Sequence, residues 1–243
     1  MNRTIVPYTE VDLPKKKQVE MMFDRIAFRY DLMNRLLSFN IDVLWRKKMV
    51  LQIKKINPSK ILDVATGTAD VAIYLSKINP EEIIGIDISN EMLDLGRKKI
   101  KSHKLERVIS LLQADCEMLP FADNSFDAVT VAFGVRNFEN LNTGLKEIFR
   151  VLKAGGLVCI LEFSKPKYFP FKQVFKIYFE KVCPTLGKWI TKDRSAYEYL
   201  YRSVNEFPDG RHFLNILEKN GFTQTKCIPL TLGISSIYTG KKY

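Results

Sequence analysis

Residues 60–70, Lys60-Ile61-Leu62-Asp63-Val64-Ala65-Thr66-Gly67-Thr68-Ala69-Asp70, set carboxylates, hydroxyls and a glycine at the end of an apolar run. Ile61, Leu62, Val64 and Ala65 predict a short buried strand, Gly67 and Thr68 a tight turn, and 70–78 a helix. A strand that delivers small residues into a helix N-terminus lets a ligand approach the backbone. The next apolar run, Ile83-Ile84-Gly85-Ile86, ends in Asp87, 24 residues after Asp63. That is close to the ~20-residue offset at which an acid accepts ribose hydroxyls. There is neither a full G-x-G-x-x-G nor a lysine-bearing phosphate loop, so the turn suits a nucleoside without a pyrophosphate. S-adenosylmethionine is the candidate that fits.

Further polar groups fall at strand ends. Asp63 could meet the amino-acid part of such a ligand through water or adjacent amides. Gly67 permits close approach, and Thr68 offers a hydroxyl and an amide. Asp87 could accept both ribose hydroxyls. Gln113-Ala114-Asp115-Cys116 follows the third strand, where Asp115 could accept the adenine amine and the Cys116 amide could meet a ring nitrogen. The alternative for each acid is a helix cap or turn residue, and it weighs more for Asp115 alone than for Asp63, Gly67 and Asp87 together at strand-end spacing. Arg136 and Asn137 follow the fourth strand, at the crevice where doubly wound folds bind ligands, or as a loop arginine paired to a surface acid. Tyr30-Asp31-Leu32-Met33-Asn34 mixes hydroxyl, carboxylate and amide, which fits a capping turn as well as a site.

The elements that must position these groups alternate. Strands are predicted at 60–65, 83–87, 108–113, 128–133 and 157–163, with helices near 70–78, 91–101 and 141–152. Gly155 and Gly156 are expected to cap the last of these helices. This rhythm predicts an α/β protein with a parallel sheet covered on both faces. Before it, Val19, Met22, Phe23, Ile26, Ala27 and Tyr30 predict an amphipathic helix that breaks at Asp31–Asn34, and a second helical stretch passes through Leu44, Trp45 and Met49. After Ser164 a segment of aromatics and lysines intervenes. In it Phe175, Tyr178 and Phe179 fit either a core-facing helix or an apolar pocket beside a lipid surface. A helix near 210–220 and strands near 222–228 and 234–239 close the chain. One domain is expected: a helical lid over 1–55, a cofactor core over 60–163, a substrate-pocket insertion over 164–209, and closing elements over 210–243.

At 243 residues and 46% hydrophobic, the chain can bury a real core. The net charge of +11 favours anionic partners such as nucleic acid, anionic lipid or acidic solutes, though a solvated lysine-rich surface accounts for it equally. Cys116, Cys159, Cys183 and Cys227 show no C-x-x-C spacing, and His103 and His212 lie far apart, so no metal is expected. Scattered cysteines, an N-terminus without an apolar signal region and the lack of any run near ~18 apolar residues point to a cytoplasmic protein.

Tyr30-Asp31-Leu32-Met33-Asn34-Arg35-Leu36-Leu37-Ser38 followed by Trp45, and Arg150-Val151-Leu152-Lys153-Ala154-Gly155-Gly156, resemble the two signatures of the ubiquinone/menaquinone biosynthesis C-methyltransferases. Ala132–Asn137, Leu161–Pro166 and Asn205–Pro208 match in the same order, and the likeness spans Lys17 to Lys241. Three positions depart. Asp42 stands where the family usually has histidine, Ala154 where it has proline, and Ala69 where many methyltransferases have glycine, although this family often has alanine.

The resemblance implies a class I S-adenosylmethionine-dependent methyltransferase fold with a seven-stranded, mostly parallel sheet. It implies methyl transfer from S-adenosylmethionine to a ring carbon of a polyprenylated quinol. By position, Thr68, Asp87, Asp115 and Cys116 would line the cofactor beside Asp63 and Gly67. Arg136 and Asn137 would face the quinol, with Tyr30 closing over it. In this reading Arg136 stabilises a developing phenolate while Asn137 and Tyr30 orient the ring. A compact chain without a targeting extension favours demethylmenaquinol over a methoxy-polyprenyl-benzoquinol. A lipid-tailed substrate implies peripheral contact with the inner face of a membrane, and a homodimer is among the assemblies allowed. A nucleic-acid methyltransferase is the competing enzyme class, but no Asn-Pro-Pro-Tyr or Pro-Cys motif supports it, Cys183-Pro184 reversing the latter. A non-catalytic assembly subunit is the other, and the intact cofactor turn argues against it.

Overall fold

The computed structural model describes residues 5–167, 169–178, 180 and 194–243. Two helices, α1 (Lys15–Leu37) and α2 (Ile41–Lys54), precede the sheet. Then come β1 (Lys60–Val64), α3 (Asp70–Leu75), β2 (Glu82–Asp87), α4 (Asn90–Ser102), β3 (Ile109–Gln113), β4 (Phe126–Ala132), α5 (Leu141–Val151) and β5 (Leu152–Phe163). The chain continues through α6 (Phe171–Ile177), α7 (Arg194–Glu206), α8 (Arg211–Lys219), β6 (Thr223–Leu230) and β7 (Ser235–Lys241).

The seven strands form one sheet in the order β3-β2-β1-β4-β5-β7-β6. Every pairing from β3 to β5 is parallel, and β7 runs antiparallel to both its neighbours. The expected mostly parallel sheet is therefore present. Alternate strand residues feed two apolar layers. Leu62, Val129, Val158 and Ile160 pack with α5 and α8 through Leu145, Ile148, Phe213 and Leu217. Ile61, Ala128, Cys159 and Leu161 pack with α2 and α3 through Met49, Ile53, Ala72 and Leu75. Ser89 caps α4 by accepting the Met92 amide at 3.2 Å, and Asn140 caps α5 by accepting the Thr143 amide at 3.1 Å.

Two local expectations are corrected. α1 does not break at Asp31–Asn34 but runs unbroken to Leu37, because Asp31 finds partners in Thr68 and Lys99 and Asn34 bonds Tyr30 within the helix. The glycines at 155 and 156 do not cap α5. The helix ends at Val151, and Gly155, at φ 79°, lies inside a bulge where Phe126 pairs with Leu152 and Ala128 with Leu157. Phe179 and Cys183-Pro184 lie outside the described residues.

Both ends of the β1–α3 turn carry backbone of limited tolerance. Ala65 and Ala69 are left-handed at φ 54° and 65°, as is Gly67 at 56°. Gly134, just past β4, presses on this turn: a Cβ there would stand 2.5 Å from the Ala65 Cβ. Gly134→Ala is therefore expected to cost about 1–3 kcal/mol and to lower the melting temperature by several degrees. An unchanged melting curve would show that the β4 loop shifts without penalty.

Candidate active site

The C-terminal ends of β1, β2, β3 and β4 open onto one cavity of about 70 Å³, roofed by Lys16, Val19 and Phe23 of α1. Gly67, Asp87, Asp115, Cys116 and Asn137 all line it. The Asp87 carboxylate accepts the Gly67 amide at 2.8 Å and the Ser89 amide at 3.0 Å, which ties the β2 end to the β1 turn. Burial raises the Asp87 pKa, and these amides oppose the rise. Asp115 accepts the Glu117 amide and an ion pair from Lys16, so α1 touches the acid at the far end of the cavity. Burial also pushes the Cys116 thiol well up, leaving its backbone as the useful group there.

Asp63 and Thr68 sit beside this cavity rather than in it. They line a small polar recess with Asp31, Arg46, Thr66 and Asp70, continuous with the cavity through Tyr30, Ala65, Gly67 and Ala132. Both Asp63 oxygens are taken, one by the Thr66 hydroxyl and one by the Thr130 hydroxyl, each at 2.6 Å. Asp63 therefore builds the turn from beneath. Thr68 donates to Asp31 at 2.7 Å and accepts from Lys99 at 2.8 Å.

A second cavity, of about 250 Å³, lies between α1, the start of α2, α6 and α7. Its walls are overwhelmingly apolar, with Met22, Ile26, Met33, Trp45, Phe133 and Phe163 prominent. Phe175 and Tyr178 belong to this wall, and the Tyr178 hydroxyl donates to the Leu37 carbonyl at 2.7 Å. Arg136 is among its few charged residues. Its guanidinium donates to the fully buried Glu162 at 2.8 Å and to the Phe133 carbonyl at 2.5 Å, and it lies 5.6 Å from the Phe163 ring centroid. Burial raises the Glu162 pKa while Arg136 opposes it. The Arg136 Nε is buried and finds no hydrogen-bond partner among the described residues.

The structure thus separates two residues expected side by side. Arg136 lines the apolar cavity, whereas Asn137 lines the first cavity and accepts the Tyr199 hydroxyl at 3.1 Å. Tyr30 is common to all three spaces. Burial raises its pKa, and its hydroxyl bonds the Asn34 side chain.

Charged residues that the spacing did not single out hold the arrangement together. Lys99 of α4 pairs with Asp31 at 2.5 Å and Asp70 at 2.7 Å. Arg35 reaches Asp70 at 2.8 Å and Asp42 at 3.5 Å. Asp42 also accepts the Ser38 hydroxyl at 2.6 Å and pairs with Arg46, whose guanidinium lies 5.3 Å from the Phe133 ring. Despite burial, Lys99 holds the Asp70 carboxyl below its usual range. Asp42 is thus a buried carboxyl group between two arginines. Arg46 was detectable at i+4 from Asp42, and Glu162 as a lone acid in an apolar strand. Lys99 carried no such signal.

The strand order, the turn after β1 and the acid ending β2 define a class I S-adenosylmethionine-dependent methyltransferase fold. A solved S-adenosylmethionine-dependent methyltransferase from Thermotoga maritima shares it, with a TM-score of 0.64 at 17% identity, covering 92% of this chain and 99% of that one. The chain belongs to the ubiE/COQ5 methyltransferase family, whose model matches residues 11–242. It is 49% identical to a demethylmenaquinone methyltransferase of Bacteroides fragilis, over 98% of this chain and 97% of the relative. It is 47% identical to the ubiquinone/menaquinone biosynthesis C-methyltransferase UbiE of Geotalea daltonii, over 94% of this chain and 97% of the relative. The protein is thus an enzyme whose methyl donor is S-adenosylmethionine, which sets aside the non-catalytic assembly reading. Its residues fit that donor: Gly67 has open space where a Cβ would stand, beside the Asp87 carboxylate, and Asp115 lines the same cavity.

Burial raises the Asp63 carboxyl from its ordinary 3.8 to about 6. Between those values the folded chain holds a proton that the unfolded chain has lost. Stability therefore falls as pH rises through that window, and the penalty is complete above about pH 6. Asp63→Asn is expected to lack this penalty. In urea unfolding its stability relative to wild type should improve by up to about 3 kcal/mol between pH 4 and pH 8. Parallel stability curves for the two proteins would contradict the assignment.

Proposed function

We propose that the enzyme methylates a ring carbon of a lipid-tailed quinol, converting demethylmenaquinol to menaquinol. The observation that carries this reading is an apolar cavity of about 250 Å³ that holds Arg136 and meets the donor cavity at Tyr30. The names of relatives such as the Bacteroides fragilis protein support the naphthoquinol.

In this reading Asp87 accepts the ribose hydroxyls and Asp115, once Lys16 gives way, the adenine amine, with the Cys116 amide on a ring nitrogen. Gly67 and Thr68 face the amino-acid end, and Asp63 holds the turn that presents them. Bound S-adenosylmethionine supplies an electrophilic methyl group on a sulfonium. A quinol carbon becomes a competent nucleophile when a neighbouring hydroxyl loses its proton and the negative charge spreads onto the ring. Arg136, held by Glu162 in the wall of the apolar cavity, stabilises that phenolate through its guanidinium, directly or through water. Tyr30 orients the ring from α1, and Asn137 acts from the donor side through Tyr199. No histidine lies near these residues, so the proton leaves to water or a carboxylate. The step uses no metal. Such an acceptor resides in a bilayer, so the enzyme works at a membrane surface, and its net charge of +11 favours an anionic one.

The test is methyl transfer from labelled S-adenosylmethionine to two reduced acceptors, a short-tailed demethylmenaquinol and a methoxy-polyprenyl-benzoquinol. Product from the naphthoquinol is expected. Product from the benzoquinol alone would move the assignment to the ubiquinone branch, and product from neither would end the quinol reading. Arg136→Ala is expected to lose about 100-fold or more in turnover while binding S-adenosylmethionine within a few-fold of wild type. Full turnover in that variant would remove Arg136 from the chemistry.

A further inference from the structure

Helix α1 carries a second, exposed apolar stripe beside the one that faces the cavity. Met22, Ile26, Met33 and Leu37 line the large cavity. Phe28, Leu32 and Leu36 recur every four residues in a stripe that winds from the far side of the helix toward its cavity-facing side, and no described element covers them. Phe28 is 87% exposed and Leu32 61%. At the corner after α1, Phe39 is 75% exposed and also lines the cavity, so the uncovered stripe runs into the cavity's rim. A contiguous exposed apolar strip of this kind marks an interaction surface.

Charge selects the partner. The acids on this stretch face inward: Asp24 accepts the Ser89 hydroxyl at 2.6 Å, and Asp31 pairs with Lys99. The exposed charged residues between positions 24 and 40 are Arg25 and Arg29, both basic. Two copies joined through this face would set arginines against arginines. An anionic bilayer accepts the aromatic and leucine side chains at its acyl boundary and the guanidiniums among its headgroups.

We propose that the outward face of α1, from Arg25 to Phe39, is the surface on which the enzyme docks onto an anionic lipid bilayer. This deepens the functional reading above and rests on its lipid-tailed acceptor. Docking by this face lays the wall of the acceptor cavity on the membrane and places the Phe39 rim at the lipid surface. A tail can then pass from lipid into the cavity without crossing water.

The test compares wild type with a Phe28→Ser/Leu32→Ser variant, both exposed positions on the surface of a helix. Vesicles of phosphatidylglycerol and phosphatidylcholine are the probe, with phosphatidylcholine alone as the control. Wild type is expected to sediment with the anionic vesicles in a salt-sensitive manner, and the variant to partition at least about tenfold more weakly. Both proteins should methylate a tail-less demethylnaphthoquinol equally, while only wild type works efficiently on long-tailed acceptor embedded in vesicles. Unchanged vesicle binding by the variant would overturn the proposal. So would a wild-type dimer that the variant dissolves while its vesicle binding persists, which assigns the face to a second copy. If wild type binds vesicles as expected but methylates neither acceptor, the quinol reading fails and the docking face stands.

Discussion

A chain of ion pairs fastens the first helix to the turn that follows the first strand, and the geometry of the site depends on it. Asp31 and Arg35 of α1 reach Lys99 of α4 and Asp70 of α3, and Arg35 continues to Asp42 and Arg46 of α2. Four helices are joined in this way, and Asp31 and Lys99 both bond Thr68 of the β1 turn. Individually, partly exposed pairs of this kind contribute little. Linked through shared, half-buried partners, they fix where α1 lies. The position of α1 in turn decides where Tyr30 stands, and Tyr30 is the side chain at which the donor cavity, the polar recess and the acceptor cavity meet.

The two charge clusters next to the apolar cavity follow the same rule. Arg136 with Glu162, and Asp42 with Arg46, are both almost wholly removed from water. Removing one partner of such a pair leaves an uncompensated buried charge, at a typical cost of about 3–5 kcal/mol. The aromatic rings of Phe133 and Phe163 lie against the guanidiniums, so the cations sit beside an otherwise oily space. An apolar acceptor with one polar edge suits that environment.

Much of this was legible in the chain. The alternation of apolar runs with helical periodicity gave the sheet because its central strands β1 and β4 are buried along most of their length, which leaves a strong local signal. The place of Asp87 and Asp115 at the rim of one cavity was legible because strand ends put them at the crevice whatever the details of packing. Asp63 was legible in position but not in duty, since its partner Thr130 is 67 residues away. The unbroken α1 was misread because Asp31 and Asn34 look like helix breakers when their partners, Thr68 and Lys99 for Asp31, are unknown. The glycines at 155 and 156 were misread because a bulge at the start of a strand and a helix cap call for the same residue. Asp42 looked like a lost imidazole, and only the fold shows the two arginines that make a carboxylate fit there.

The most direct test of the central claim is single-turnover methyl transfer by an Asp31→Asn/Arg35→Gln protein, with labelled S-adenosylmethionine bound beforehand and a reduced quinol added. If the ion-pair chain sets the register between donor and acceptor, S-adenosylmethionine should bind within a few-fold of wild type while transfer slows about 100-fold. Transfer at the wild-type rate with the chain of ion pairs removed would show that α1 is held in place by its apolar packing alone.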